Sequence, residues 1–520
     1  MMNQFLKILF LAIFTQTVAH AGPQDEAQVS AWLAQHKDNP IAVRQFVQNL
    51  PKGADLHSHL SGATYAEDYL TWGAEAGYCV NIQEQRFLRP PCTPDADVKS
   101  LSSITEHEYN TLIKRMSTKD YLYSLIPGHD QFFQAFDVFN AFSGSVSLIP
   151  KMLAKTKNRA ADQNVLNVEL MITLQYPAAK QLAEKLTQTG IVDFPARAAW
   201  LKQNGMDALV QAAIADLDLV EQGYKNIQQC DSTNRAAGCS VGHLWLQQVV
   251  RGGTTAEVFT QIMLAYELFK ADKKVAGLNL VGPEDGVRAL RDYRLHMEML
   301  RYFSEQYPAG NIALHAGELT IGLVPPEHLK SHITEAITIA GAKRIGHGVS
   351  IGYEQSALNT FTLLRERGVL VEICLTSNAL ILGVEGAAHP LQSYLEQNVP
   401  VALATDDEGV SRIDLSNEYQ RAISQHHLSY TQLKKMSRDS LTYSFLPGTS
   451  IWSDASSTRM VDACEADRQA EQLTSASCKK LINESHKANR QWLLETELTK
   501  FERDPVFRKM SSSPKNKSAR

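Results

Sequence analysis

Short apolar runs alternate with longer stretches of helical period along most of this chain. The runs predict strands near 54–57, 165–171, 243–249, 275–280, 312–315, 344–347, 370–375 and 401–405. Near-continuous apolar runs of this length suit strands buried on both faces of a parallel sheet. Between them, segments such as 286–306, 328–340 and 354–367 place apolar residues on one helical face. Eight strand–helix alternations predict an α/β fold, a (β/α)8 TIM barrel. Strand counting alone leaves a doubly wound open sheet as the alternative.

The gap between the first two strands, residues 60–164, is too long for one βα unit. It holds Cys79, Cys92, Pro90-Pro91 and an aromatic helix near 131–142. An insertion at about 78–130 is expected over the upper mouth of the barrel, where it shapes the pocket or a homodimer face. Extra helices with no functional role are the alternative. Residues 22–50 read as an N-terminal helix feeding a barrel that spans 22–505, and residues 430–500 read as helices that close it.

Both ends of the chain differ from the middle. Lys7, the apolar stretch 8–14 and Ala19-His20-Ala21 make a secretory signal peptide, residues 1–21. The apolar stretch is far below the ~18 residues that a membrane span needs. Export to the periplasm or beyond the cell follows, with no membrane partner. Residues 506–520 carry Arg508, Lys509, Lys515, Lys517 and Arg520 among serines and read as a basic, solvated tail. A net charge of −5 argues against nucleic acid as a partner.

Seven cysteines suit an oxidising compartment. Cys79/Cys92, Cys230/Cys239 and Cys464/Cys478 each bracket a short polar or Pro-rich segment, and Cys374 sits alone in an apolar run. Three local disulfides are expected, although spacing leaves their connectivity open. No C-x-x-C exists, which excludes the usual thiolate zinc spacing.

The chemistry-bearing residues gather at the C-terminal ends of the expected strands, where barrel enzymes carry their active sites. His57 and His59 follow strand one; His315 and Glu318 follow strand five; His347 follows strand six; Asp406 and Asp407 follow strand eight. Residues i and i+2 of a strand share a face, so His57 and His59 can grip one cation. With 16 histidines in 520 residues, about 0.5 such pairs arise by chance, so the pair needs the other strand ends to carry meaning. Three imidazoles and one carboxylate, His57, His59, His315 and Asp406, suit a single divalent ion that activates water, with zinc, iron and cobalt all compatible. Glu318 is placed to carry a proton, and His347 to steady a developing oxyanion. Asp407 and the backbone N–H of Gly282 are candidates to meet a flat ring.

Together, Pro51-Lys-Gly-Ala-Asp-Leu-His-Ser-His-Leu60, His315-Ala-Gly-Glu318, Arg344-Ile-Gly-His-Gly348, Val371-Glu-Ile-Cys374 with Ser377-Asn378, and Thr405-Asp-Asp407 resemble the adenosine deaminase family of metal-dependent amidohydrolases. The likeness is strongest to its secreted, growth-factor-like branch. The resemblance implies one zinc ion per subunit, held by His57, His59, His315 and Asp406. It implies hydrolytic deamination of adenosine, and of 2′-deoxyadenosine, to inosine-type products and ammonia. Glu318 would protonate the purine N1, His347 orient the attacking hydroxide, Asp407 bond N7 and Gly282 meet N3, with His59 and Ser61 bordering the purine nucleoside. Other aminopurines, AMP and adenine among them, are the near alternative, and a non-catalytic secreted signalling module the distant one. The chain departs from the family pattern at Ser61, where an acidic residue often meets the ribose, and at Leu375 and Glu408, where proline is common.

Overall fold

Strand one begins at Lys52, two residues before the apolar run, because its ammonium is capped by three carbonyls. Lys52 Nζ donates to the backbone oxygens of Val47 (2.5 Å), Leu50 (3.0 Å) and Gln163 (2.8 Å). This satisfies a cation that would otherwise be buried without a partner. The computed structural model describes residues 23–508 except 94, 455 and 469–472. The expected signal peptide and most of the basic tail lie outside the described residues.

Eight parallel strands form the frame: β1 (Lys52–His59), β2 (Val165–Ile172), β3 (Gly242–Val250), β4 (Val275–Val281), β5 (Ala313–Ala316), β6 (Arg344–His347), β7 (Leu370–Ile373) and β8 (Val401–Leu403). They pair in sequence order as two four-stranded sheets, β1 to β4 and β5 to β8. Bridges Leu278↔Ile312 and Ser58↔Asp406 join the two into a closed barrel. Closure beside β1 rests on His59 N donating to Asp406 O (3.0 Å) and Asp406 N donating to His57 O (2.8 Å). The open-sheet alternative is thereby excluded, and every expected strand is found within a few residues of its place.

Boundaries moved where a local signal was stronger than the period. The N-terminal helix is two, Pro23–His36 and Pro40–Asn49. Asn39 caps the second by accepting from Ile41 N (3.1 Å) and Ala42 N (3.2 Å), and proline suits the first turn of a helix. β7 stops at Ile373 because Leu375 already begins the helix Leu375–Leu382.

The segment after β1 builds a small antiparallel sheet (Cys79–Asn81, Arg86–Leu88, Val98–Ser100) and the helices Glu106–Arg115 and Gly128–Ser143. The second helix packs on Leu375–Leu382 and Glu408–Ser411, which follow β7 and β8, so this segment covers part of the C-terminal face. At the other end, Tyr430–Thr442 packs on β1 and β8.

Disulfides link Cys79–Cys92, Cys230–Cys239 and Cys464–Cys478, and Cys374 is a buried free thiol. The last bridge sits in a satellite core with Ile451, Trp452, Met460 and Ile482. Its sequence separation is 14 residues, for which chain entropy gives about 3 kcal/mol. A Cys464→Ala/Cys478→Ala double variant is therefore expected to lose about 3 kcal/mol in urea denaturation; an unchanged midpoint would contradict this. No helix among the described residues is long and apolar enough to cross a membrane.

Candidate active site

Four side-chain atoms converge at the C-terminal rim. His57 Nε2 lies 3.0 Å from His315 Nε2, and His59 Nε2 lies 3.2 Å from the same atom. Asp406 Oδ1 stands 3.5 Å from His57 Nε2 and 3.3 Å from His59 Nε2. Neighbouring ligands about 2.05 Å from one zinc ion lie about 3.3 Å apart, which these four separations match, while the group whose ligand atoms all lie within 4.8 Å of one another is His57, His315, His347 and Asp406. Each imidazole is turned by a bond on its far side. His57 Nδ1 donates to Glu372 Oε2 (2.6 Å), His59 Nδ1 to Gln248 Oε1 (2.5 Å) and His315 Nδ1 to Asn279 Oδ1 (2.8 Å). With Nδ1 protonated, all three Nε2 lone pairs face one point. Lone pairs 3.0 Å apart repel unless a cation lies between them, so the donor set fits a divalent ion.

The electrostatics agree. Burial would raise the Asp406 carboxyl, but its bonds to His57 and His59 outweigh this and hold it well below the usual range. Burial likewise opposes charge on His57, yet bonds to Asp406 and Glu372 raise that ring to about 10. The cluster draws positive charge to itself.

His347 brings a further imidazole close: an atom of its ring lies within 4.8 Å of ligand atoms of His57, His315 and Asp406. Its tautomer is the opposite one. Leu391 N donates to His389 Nδ1 (3.2 Å), so the His389 proton is on Nε2, which donates to Asn378 Oδ1 (3.0 Å). Asn378 Nδ2 then donates to His347 Nδ1 (2.9 Å). A backbone N–H, whose sense is fixed, sets every step. His347 Nε2 therefore carries hydrogen and is a donor, not a ligand. It is buried, has no hydrogen-bond partner and lies 3.6 Å from Glu318 Oε1. Burial lowers His347 to about 3, so the ring is neutral.

Asn378→Ala is expected to lower turnover about 10- to 100-fold while bound metal is unchanged, because it frees the His347 tautomer without touching a ligand. Loss of metal in step with activity would contradict that role.

Glu318 is held by its own backbone. The Glu284 carboxylate accepts from Gly317 N (3.0 Å) and Glu318 N (2.8 Å) and from His332 Nδ1 (2.6 Å). Burial, and then the charge of Asp406, push the Glu318 carboxyl well above its usual range. The same two causes raise Asp407, whose Oδ1 is buried without a partner. In both carboxyls burial and the Asp406 charge favour the protonated form. Asp406 (φ 60°) and His347 (φ 68°) are non-glycine residues in left-handed backbone, a strain on the order of 1 kcal/mol each. That turn sends the two consecutive carboxyls apart, Asp406 to His57 and His59 and Asp407 against Gly62.

At Gly282 (φ 90°), Arg251 N donates to Val281 O (3.0 Å) and Arg251 Nε to Gly282 O (2.9 Å). A trans peptide then directs the Gly282 N–H away from Arg251, and beside its Cα space is open, since an added Cβ meets nothing within 4 Å. Ser61 lies half-buried in the short helix Leu60–Ala63 that leaves β1, its carbonyl accepting from Tyr69 Oη (2.9 Å).

Several residues escaped the sequence reading. Glu372 and Asn279 are polar residues inside otherwise apolar strands, which was a usable signal. Gln248, inside β3, carries the same signal, while Glu284, Arg251 and His389 carry none. Glycines flank His347 for a reason that sequence does not display: a Cβ on Gly346 would sit 2.5 Å from His57 Cε1, so Gly346 makes room for a metal-ligand candidate. Likewise a Cβ on Gly62 would collide with Asp407 Oδ1 at 1.5 Å.

The adenosine deaminase family model matches residues 212–451. Adenosine deaminase of Escherichia coli is 36% identical over 183 residues, 35% of this chain and 50% of that protein. The Clostridium perfringens adenosine deaminase is 29% identical over 182 residues, 35% of this chain and 51% of that protein. The chain spans about half the length of the curated relatives it matches. Among solved structures, the N6-methyl-AMP deaminase of Arabidopsis thaliana superposes with a TM-score of 0.51 at 20% identity, covering 78% of this chain and 94% of that one. Arabidopsis ADAL complexed with IMP has a TM-score of 0.51 at 20% identity, covering 77% and 94%. At this identity the two structures speak for the barrel alone. The matched stretch 212–451, which holds the strand-end motifs at 315–318, 344–348, 377–378 and 405–407, is similar to the adenosine deaminase family.

Proposed function

We propose that the protein is an exported, metal-dependent aminohydrolase of adenosine and 2′-deoxyadenosine. One observation carries the reading: two buried carboxyls, Glu318 and Asp407, whose burial favours the protonated form, stand beside a convergent three-imidazole, one-carboxylate cluster. His57, His59, His315 and Asp406 would hold the ion, and zinc suits their number and spacing. When bound, such an ion supplies Lewis acidity that makes water a nucleophile near neutral pH.

The chain's own groups do the rest. An adenine ring offers acceptors at N1, N3 and N7, and the rim offers three donors: the Glu318 carboxyl, the Gly282 N–H and the Asp407 carboxyl. Proton donation by Glu318 to N1 makes C6 electrophilic. The Nε2–H of His347 stabilises the oxygen that adds there, and the carboxylate left on Glu318 can take a proton from the attacking water and pass it to the leaving ammonia. Guanine, which carries hydrogen at N1, cannot accept from Glu318.

The Arabidopsis relative acts on N6-methyl-AMP, so a nucleotide is the reading to exclude. A phosphate calls for uncommitted cations near the rim. Arg159 is ion-paired with Glu408, and Arg412 with Glu67 (2.7 Å). Ammonia release from adenosine, deoxyadenosine, AMP, adenine and guanosine tests the reading. The nucleosides are expected to react best, and preference for AMP would overturn the substrate assignment. Export agrees with three disulfides, and residues 1–21 are its proposed signal.

The required Glu318 proton gives the pH profile a sign. Because burial and the Asp406 charge raise its carboxyl well above the usual range, kcat/KM is expected to fall as pH rises through the titration of that carboxyl. Glu318→Gln should abolish this alkaline limb in the residual activity; a limb that survives would belong to another group.

A further inference from the structure

A cavity of about 890 Å³ opens at the starting ends of β4 to β7, beneath the barrel and opposite the ligand cluster. Four cations line it, Lys273, Lys343, Arg367 and Lys487, with no carboxylate among its lining residues. That is a local excess of positive charge on a chain whose net charge is −5. Among the described residues, Lys343, Arg367 and Lys487 donate only to neutral oxygens. Lys343 Nζ donates to Asn311 Oδ1 (2.7 Å) and Arg367 Nη1 to Ile337 O (3.0 Å). Lys487 Nζ donates to the carbonyls of Thr442 and Ser444, both at 2.9 Å. Arg344, just behind the wall, differs: Glu169 (2.7 Å) and Glu372 (2.6 Å) already meet its charge.

The remaining walls are flat and apolar. Phe269 and Tyr307 stand in the lining, as do Tyr443 and Phe445. Phe445 is fixed, because its ring packs 3.7 Å from the Arg344 guanidinium and its N–H donates to Glu169 Oε1 (2.5 Å). The space is within the usual size of small-molecule sites, which run to roughly 1,000 Å³. Polar residues beneath a barrel ordinarily serve stability, but a stabilising network would pair these cations with acids, as it does for Arg344. Burial also works against Lys487, lowering it to about 8. Cations left without counter-charge beside aromatic walls fit a ligand that brings both an anion and a ring.

We propose that this cavity is a second ligand site, for a small molecule that joins an anionic group (phosphate, sulfonate or carboxylate) to a flat apolar body. The anion lies among Lys273, Lys343, Arg367 and Lys487, and the flat body lies against the rings. The site is independent of the deamination reading.

Anilinonaphthalene sulfonate has this chemistry and reports its own binding by fluorescence. Titrated into the full chain, it is expected to saturate at one equivalent. Lys343→Glu and Lys273→Glu each reverse one exposed charge and should weaken binding about tenfold or more. Lys185→Glu, whose residue is not among the lining, should leave it unchanged. Melting temperature and ammonia release identify any variant that fails to fold. Binding that never saturates, or that all three variants leave alone or weaken equally, would overturn the proposal.

Discussion

Glu318→Gln is expected to retain its metal and to lose adenosine turnover by about 10²- to 10⁴-fold, the range for a positioned proton carrier. The amide has nearly the same shape and can still donate a hydrogen bond, but it cannot give up a proton. No ligand changes, because Glu318 touches none of the four through a direct bond. Its backbone remains tied to Glu284 through the Gly317 and Glu318 N–H groups. The fold, the metal and the pocket shape therefore stay, and only the ring-protonation step is lost. Elemental analysis and steady-state ammonia release on one preparation check this. Turnover within tenfold of the parent would remove Glu318 from its assigned role.

Asp406→Ala is expected to be harsher, abolishing measurable turnover and leaving the purified chain without stoichiometric metal. Asp406 supplies the only anion among the four candidate ligands. Its loss removes the negative charge that draws a cation, and also the charge that helps to raise Glu318 and Asp407. Both proton donors would shift towards ionised forms that repel ring nitrogens. Removing the ion from the parent chain with a chelator should reproduce the loss of activity and be reversed by added zinc. A bound ion also favours the folded state, by about 4 kcal/mol when free metal is a thousandfold above Kd, so the melting temperature of the parent, but not of Asp406→Ala, should rise with metal. Retained activity, or an equal rise in both, would exclude Asp406 as a ligand.

The eight strands were legible because a buried parallel strand leaves a short apolar run whatever its neighbours are. His57 and His59 could be paired from alternation alone, and their backbone is fastened to Asp406 by barrel closure, which only the fold supplies. Asp406 and Asp407 could be singled out, but their separate directions come from one left-handed residue that no composition rule predicts. The Asn378–His389 relay was invisible for a different reason: its meaning depends on which ring nitrogen carries hydrogen, which a backbone donor at Leu391 decides. Gly62 and Gly346 look like ordinary turn glycines until the side chains they accommodate are in place. The helix break at Asn39-Pro40 is readable from the Asn cap and the proline after it, which a single helix over 22–50 overlooks.

The most direct measurement is the initial rate of ammonia release from adenosine as zinc is added back to the metal-free chain. The rate is expected to rise in proportion and to break sharply at one equivalent per chain. A metal-free chain that is already fully active, or a rate that stays at zero through several equivalents, would contradict the convergence of His57, His59, His315 and Asp406 on a single catalytic ion.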